Sequence, residues 1–259
     1  METNVHSIIK ATTILEYLCD KKDGATLAEV SERTGLAKTT AHRVLGILEG
    51  IGYVARIQKS DAFRIGSRAI VFGQRSMHLY DDVVNLAIPH LEKLHDAFGY
   101  TTNMGRLEDQ TGVHIFKIDP PAGMMKTSVF IGMQFQLHCS AMGKCMLSDF
   151  SGEALDAYWS QVADHLPRHT VNTIDDKGRL LLELEAVRQN GFAVDNEENE
   201  TGISCVAAPV RDYNHRITHA ISVSTNTIKL NTAGFDTVVQ AVKAQADAIS
   251  RELGYSATD

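Results

Sequence analysis

The chain has 259 residues, which is long enough for two domains, and its 44% hydrophobic and 22% charged residues are ordinary for a soluble protein. No apolar stretch approaches the roughly 18–20 residues that span a bilayer, and residues 1–10 lack a basic segment followed by an apolar run. We therefore expect a cytoplasmic protein without a membrane segment.

The net charge of −7 hides an asymmetry along the chain. Residues 1–70 contain ten Lys and Arg against eight Asp and Glu, whereas the other 189 residues contain fifteen against twenty-four. An acidic surface repels nucleic acid. Any contact with nucleic acid is therefore expected within the first 70 residues.

The four cysteines predict neither a metal site nor a disulfide framework. None belongs to a C-x-x-C pair, and no Cys/His cluster has zinc-site spacing. In a reducing compartment such cysteines are most simply buried small hydrophobic residues. We expect no metal and no cofactor.

The N-terminal segment shows three amphipathic helices and a hairpin. The apolar spacing predicts helices over residues 6–19 and 37–49, and a shorter one that ends near Arg33. Thr26 and Glu29 have the spacing of a capping box for the middle helix, and Gly35 supplies the turn after it. Short strands over 53–57 and 62–65 then complete the order of a winged helix-turn-helix domain.

The rest of the chain predicts an α+β domain with an antiparallel sheet and flanking helices. Residues 67–98 have a helical pattern with a break at Pro89. Asp175 is the expected cap of the helix over 175–189, which Gly191 closes. Strands are expected over 101–107, 112–118, 126–131, 192–194, 205–211 and 217–224, and further helices over 141–163 and 234–253.

The second helix of the helix-turn-helix should contact DNA. Its exposed residues near the N-terminus, the end that enters the major groove, offer hydroxyl and cationic groups to phosphates and base edges. The predicted DNA-binding residues are Lys38, Thr39, Thr40, His42 and Arg43 on the helix, and Arg56, Lys59 and Arg64 on the wing. The alternative is a helical hairpin with solvated charges, which the preceding helix, the wing and the local charge surplus disfavour.

Several motifs resemble the IclR family of bacterial transcriptional regulators. The recognition-helix motif is GLAKTTAHR at residues 35–43, followed by GYV at 52–54. Three further stretches resemble the family's effector motifs: LHCSAMGK at 137–144, DNEENETGISCVAAPV at 195–210 and AISVS at 220–224.

The resemblance implies a winged helix-turn-helix domain (1–66), a linker helix (67–84) and a GAF-like effector-binding domain (85–259). It also implies homodimers, or dimers of dimers, on double-stranded palindromic operators. The chain resembles in particular regulators of sugar-acid catabolism, such as those of ketogluconate or diketogulonate operons, and the resemblance implies repression, the family's usual action.

The effector motifs suggest one site for a small carboxylate, a sugar acid or a keto acid. The backbone amides of Ser140, Ala141 and Met142 precede a helix whose dipole favours an anion. Ser222 and Ser224 share one face of a strand. The other two expected effector-binding residues are Asp195, as a hydrogen-bond acceptor, and Cys205, as a packing surface.

Each of these residues also has a structural interpretation. The serines could be solvated, Cys205 could belong to the core, and Asp195 could cap a turn. Glu197, Glu198 and Glu200 are expected in a solvated loop, and His138 is expected to be a buried, hydrogen-bonded residue.

Two other functions remain open from the residues alone. Ser140, Cys205, His138 and Asp195 could form a nucleophile and its base, although the chain has no G-x-S-x-G and no phosphate-binding loop. A DNA-binding protein without a small ligand is the second alternative. We expect a regulator and not an enzyme.

Overall fold

The computed structural model describes residues 2–58, 60–77, 81–232 and 234–256. The chain divides between Asp81 and Asp82 into two compact units. In the described residues, no helix is long and apolar enough to cross a membrane.

The N-terminal unit is built from helices and one hairpin. Its elements are α1 (Glu2–Cys19), α2 (Leu27–Thr34), α3 (Lys38–Gly50), β1 (Val54–Ile57), β2 (Ala62–Ile65) and α4 (Ser67–Met77). The two strands pair antiparallel. The apolar faces of the first three helices and of the hairpin meet in one cluster, whose buried members include Ile14, Leu18, Val30, Ala41, Val44, Leu45, Leu48, Val54 and Phe63.

Local interactions at the two ends of α2 determine how the chain enters this helix and turns into α3. Thr26 accepts a hydrogen bond from the Glu29 amide at 3.4 Å, and its own amide donates to Glu29 Oε2 at 2.7 Å. The predicted capping box is therefore confirmed. Gly35 ends α2 at φ 68°, a backbone conformation that a β-carbon disfavours, so the chain can turn sharply into α3.

The C-terminal unit contains a six-stranded antiparallel sheet in the order β5-β4-β3-β8-β7-β6. Its strands are β3 (Thr101–Glu108), β4 (Thr111–Ile118), β5 (Gln134–Phe135), β6 (Ala193–Asn196), β7 (Ile203–Arg211) and β8 (Ile217–Asn226). Its helices are α5 (Asp81–Phe98), α6 (Ala141–Leu147), α7 (Gly152–Val162), α8 (Lys177–Asn190), α9 (Thr227–Thr232) and α10 (Phe235–Glu252). The predicted α+β class is confirmed.

The two faces of this sheet carry different residues because side chains alternate along a strand. Val206 and Ile221 belong to the core that packs against α5 and α10. Ala207 and Ala220 face the other way, into the core that contains α6, α7 and α8. The cavity described below opens on this second face.

Two backbone predictions are wrong. Pro89 does not break the helix, because α5 runs through it. Its pyrrolidine ring is exposed, so water can satisfy the carbonyl it leaves free, while Ala87 and Leu91 hold the helix on the core. Residues 126–131 form no strand: the edge position beside β4 belongs to Gln134 and Phe135.

Two helix predictions are also corrected. The helix expected over 141–163 is two helices, α6 and α7, with a short 3-10 turn at Ala163–His165. The cap of α8 is Asp176 and not Asp175, because the Asp176 carboxylate accepts from the Arg179 amide at 2.8 Å. Gly191 closes this helix as predicted.

Candidate DNA-binding surface and effector cavity

Helix α3 presents a continuous polar surface to solvent. Ala41, Val44, Leu45 and Leu48 are buried, which fixes the rotation of the helix about its axis. As a result Lys38, Thr39, His42 and Arg43 are exposed and Thr40 is half-buried. The structure therefore brings together all five helix residues that the sequence predicts for DNA binding.

The start of α3 also suits an anionic partner. Ala37 is the N-cap and offers no side-chain hydrogen bond to the first turn. Amides at a helix N-terminus without a side-chain cap are free to bind phosphate oxygens. Lys38 and Thr39 stand in the same turn.

The wing residues are not on one surface. Arg64 pairs with Ala55 and Arg56 pairs with Phe63, so the two arginines lie on opposite faces of the hairpin. Arg56 is also close to two carboxylates, Glu49 at 3.7 Å and Asp61 at 3.8 Å. The third predicted wing residue, Lys59, lies outside the described residues.

The predicted effector-binding residues converge on one cavity of about 60 Å³ in the C-terminal unit. All seven line it: Ser140, Ala141, Met142, Asp195, Cys205, Ser222 and Ser224. Strand register explains part of this convergence, because Asp195 pairs with Cys205, which pairs with Ser224. These three residues form a row across β6, β7 and β8.

Ser140 shapes the cavity through its hydroxyl group. The hydroxyl donates to the Gln136 carbonyl at 2.8 Å and accepts from the Gly143 amide at 3.1 Å, so it caps α6. Gly143 allows α6 to lie against the preceding loop, since a β-carbon there would come within 2.4 Å of the Leu137 backbone. Ala141 and Met142 are the first residues of α6, which has only seven residues.

Asp195 is buried, with 4% of its surface exposed. One carboxylate oxygen accepts from the Glu198 amide at 2.7 Å, so Asp195 caps the following turn as well as lining the cavity. Burial, followed by the nearby Glu198 carboxylate, raises the pKa of Asp195 to about 7. This carboxyl group therefore titrates near neutral pH.

The expectation that Glu198 is solvated is wrong. Glu198 is 3% exposed, and its Oε1 lies 2.6 Å from Nζ of Lys144, which is completely buried. The same ammonium lies 3.2 Å from Glu183 on α8. The Lys144–Glu198 pair connects α6 to the loop after β6. In the sequence, the only sign of a buried ion pair is a lysine inside the apolar stretch over residues 141–147.

Several cavity residues lie outside the sequence motifs. Asn103 on β3 donates its side-chain amide to Ser222 at 3.4 Å and Ser224 at 3.3 Å. The ring of His114 on β4 packs at a tilt against that of Phe135, with centroids 4.8 Å apart. The other additional lining residues are Thr127, Val129, Asn199, Glu200 and Ile203. Among the described lining residues none is Lys or Arg.

The cysteine and histidine expectations hold in part. Cys139 and Cys145 are buried and Cys205 is half-buried, but Cys19 is exposed because it ends α1. His138 is buried, and its Nδ1 lies 3.4 Å from the Tyr158 hydroxyl, as expected for a structural residue.

Comparisons with known proteins agree with this architecture. The model of the IclR helix-turn-helix domain matches residues 7–57, and that of the bacterial transcriptional regulator IclR C-terminal domain matches residues 76–251. The DNA-binding transcriptional repressor YiaJ of Escherichia coli K12 is 35% identical over 253 residues, 98% of this chain and 89% of that protein. The regulator KdgR of Dickeya chrysanthemi is 30% identical, over 97% of this chain and 81% of its own.

A solved structure supports the same conclusion. The crystal structure of the Thermotoga maritima IclR is 29% identical with a TM-score of 0.80, and the match covers 97% of this chain and 100% of that one. The relatives are transcriptional regulators and not enzymes. The motifs, the fold and the matches over nearly the whole chain agree, and the protein belongs to the IclR family of DNA-binding transcriptional regulators.

Proposed function

We propose that this regulator represses a carbohydrate or sugar-acid catabolic operon and responds to a small carboxylate bound in the cavity of its C-terminal unit. The observation that carries the proposal is the convergence on one cavity of seven residues that come from three separate sequence motifs. YiaJ, 35% identical over nearly the whole chain, is a repressor, which supports repression here.

Operator contact is assigned to α3. Thr39, Thr40 and the first-turn amides would bind phosphates or base edges, and Arg43 would reach guanine or phosphate. Lys38 and His42 extend the same exposed face. Arg56 and Arg64 lie on opposite faces of the hairpin, so only one of them can contact the same groove of the DNA. Arg56 already lies near the carboxylates of Glu49 and Asp61.

The effector is assigned to the sheet face beside α6. Its carboxylate would accept hydrogen bonds from hydroxyl and backbone N–H groups, since none of the described lining residues is Lys or Arg. Ser222 and Ser224 on β8, with the amides of Ala141 and Met142, supply such donors. Cys205 packs against the bound molecule, and protonated Asp195 adds a further donor.

Ligand and operator would be coupled through a dimer. Two recognition helices would enter successive major grooves about 34 Å apart, and the effector would change their spacing through the linker helix. We assign the linker to residues 67–84, between the DNA-binding unit (1–66) and the effector unit (85–259). Of this range, 67–77 belong to α4 and 81–84 to the start of α5, and 78–80 lie outside the described residues. A dimer of dimers would engage two such sites.

The test uses the full chain and DNA selected from a pool of random duplexes. Thermal shifts are measured with sugar acids, keto acids and aromatic acids, and each hit is repeated in a gel shift with the selected duplex. A ligand at a hundredfold excess over its Kd should stabilise the protein by about 2.7 kcal/mol and change its affinity for DNA.

Two variants separate the two halves of the proposal. Arg43→Ala should weaken DNA binding and leave the effector's thermal shift unchanged. Ser222→Ala should reduce the effector's thermal shift and leave the affinity for DNA unchanged. Ser160→Ala, on the exposed face of α7, is the matched control and should change neither. A hit that leaves DNA affinity unaltered would refute the coupling, and no hit among the acids would refute the effector assignment.

A further inference from the structure

The effector cavity has a second polar wall that no sequence motif marks. This wall is formed by Asn103, His114 and Thr127, which all line the cavity. Each of them has one buried atom without a hydrogen-bond partner among the described residues: Asn103 Oδ1, His114 Nδ1 and Thr127 Oγ1. Only six buried side-chain atoms in the described part of the chain lack a partner, so half of them belong to this one cavity.

These three residues come from elements other than those that carry the motifs. Asn103 lies on β3, His114 on β4 and Thr127 in the segment between β4 and β5. Asn103 is the direct cross-strand neighbour of Ser222 on β8. The second polar wall therefore adjoins the predicted effector residues on the same face of the sheet.

Neighbouring groups hold the second polar wall in place. The Asn103 NH₂ group donates to Ser222 and Ser224, which directs its carbonyl oxygen away from those serines. Lys117 donates to the backbone carbonyls of Thr127 at 3.2 Å and Val129 at 2.6 Å, so the loop that carries Thr127 is anchored to β4. The three unpaired atoms are thus positioned before any ligand arrives.

The chemistry of these atoms selects among carboxylic acids. The Asn103 carbonyl oxygen can only accept, so its partner must carry an O–H or N–H group. Burial, followed by Lys117, lowers the pKa of His114 to about 4, so its neutral ring cannot form an ion pair with a carboxylate at neutral pH. A keto oxygen and an ionised carboxylate only accept, whereas a ligand hydroxyl both donates and accepts.

We propose that Asn103, His114 and Thr127 bind the hydroxyl groups of a polyhydroxylated carboxylic acid, and that this class of acid, rather than a short keto acid, is the effector. The inference rests on the proposed function, because it assumes that the cavity is the effector site. Buried polar groups without partners cost free energy, and a ligand with several hydroxyl groups satisfies all three.

The experiment measures Kd by calorimetry on the full chain. The polyhydroxy probes are threonate, gluconate, gulonate and galactonate, and the comparison probes are pyruvate, 2-oxobutanoate and hexanoate. At least one polyhydroxy acid should bind tenfold or more tightly than every comparison probe. A comparison probe that binds as tightly as the best polyhydroxy acid would overturn the inference.

Two variants test the residues themselves. Thr127→Val keeps the shape and removes the hydroxyl, and it should weaken the best polyhydroxy acid at least tenfold without lowering the Tm of the free protein. Asn103→Leu should weaken it likewise. Thr218→Val is the matched control, because Thr218 is half-buried, bonds His219 and does not line the cavity. Unchanged affinity in Thr127→Val would overturn the assignment.

The outcomes separate this inference from the proposed function. If pyruvate or 2-oxobutanoate binds and changes DNA affinity while the polyhydroxy acids do not bind, the proposed function stands and the second polar wall has no ligand role. If no acid of either class binds, the effector assignment itself fails and the inference fails with it.

Discussion

The two regions assigned to binding, the exposed face of α3 and the cavity beside α6, are built in opposite ways. The α3 residues are adjacent in sequence, exposed, and carried by one helix. The cavity residues come from β3, β4, β6, β7, β8 and α6, and most of their polar groups are buried. A substitution on α3 should therefore change binding alone, whereas a substitution around the cavity should change both binding and folding stability.

The strongest test of this contrast is Lys144→Ala. The change leaves the Glu198 carboxylate buried without its cation, so we expect the free energy of unfolding to fall by about 3–5 kcal/mol. Urea denaturation of the full chain measures it. Lys177→Ala, which removes an exposed ion pair with Asp156, is the control and should cost less than about 1 kcal/mol. Equal effects of the two variants would show that burial does not decide the difference.

Gly143→Ala tests how closely α6 must approach the loop before it. The new β-carbon would lie within 2.4 Å of the Leu137 backbone, so α6 must move, at a cost of about 1–3 kcal/mol of stability and with weaker effector binding. Gly152→Ala on α7 meets no atom within 4 Å and serves as the control. Thermal unfolding with and without ligand reports both effects. A Gly143→Ala protein as stable as the control would contradict the packing argument.

Arg43→Ala tests the exposed region. Loss of a base or phosphate contact should weaken operator binding by about 1–3 kcal/mol, while the Tm stays unchanged because Arg43 is exposed. Gel shifts and thermal unfolding of the same preparation measure the two quantities. Lys22→Ala, an exposed lysine outside α3 and the hairpin, should keep full affinity for DNA. A fall in Tm for Arg43→Ala would mean that this surface also supports the fold.

The smallest expected effect, about 1 kcal/mol for each pH unit, is a pH dependence at Asp195. Its pKa of about 7 in the folded state lies above the ordinary 3.8, so folding binds a proton and the group's contribution to stability falls as pH rises from about 4 to 7. Asp195→Asn keeps an oxygen to accept from the Glu198 amide and removes the titration. The wild type should lose stability relative to this variant by about 1 kcal/mol per pH unit in that window.

The comparison of the two proteins reports Asp195 together with its coupling to the nearby Glu198 carboxylate. Burial lowers the pKa of His114, His138 and His219 to about 4, which gives the opposite slope, but all three histidines are present in both proteins and cancel in the difference. Urea midpoints at several pH values between 5 and 8 measure it. A difference that stays constant with pH would show that Asp195 is already ionised across the range.

Local features of this protein could be predicted from the sequence, whereas long-range burial could not. The capping box at Thr26, the turn at Gly35 and the buried stripe of α3 depend on residues within a few positions of each other, and all are confirmed. The break at Pro89 was wrong because packing of α5 on the sheet outweighs one lost hydrogen bond. The burial of Glu198 was missed because its partner, Lys144, is 54 residues away in the chain.

The sequence by itself determined the helix-turn-helix, the order of the two units and the seven residues predicted for the effector, since periodicity, turn chemistry and motifs all act over short stretches. Tertiary structure alone decided that those seven residues share a cavity with Asn103, His114 and Thr127. Strand pairing brings together β3 and β8, whose residues Asn103 and Ser222 are 119 positions apart. The pairing of two strands so far apart in the chain follows from the packing of the whole sheet, and no local pattern shows which strands will pair.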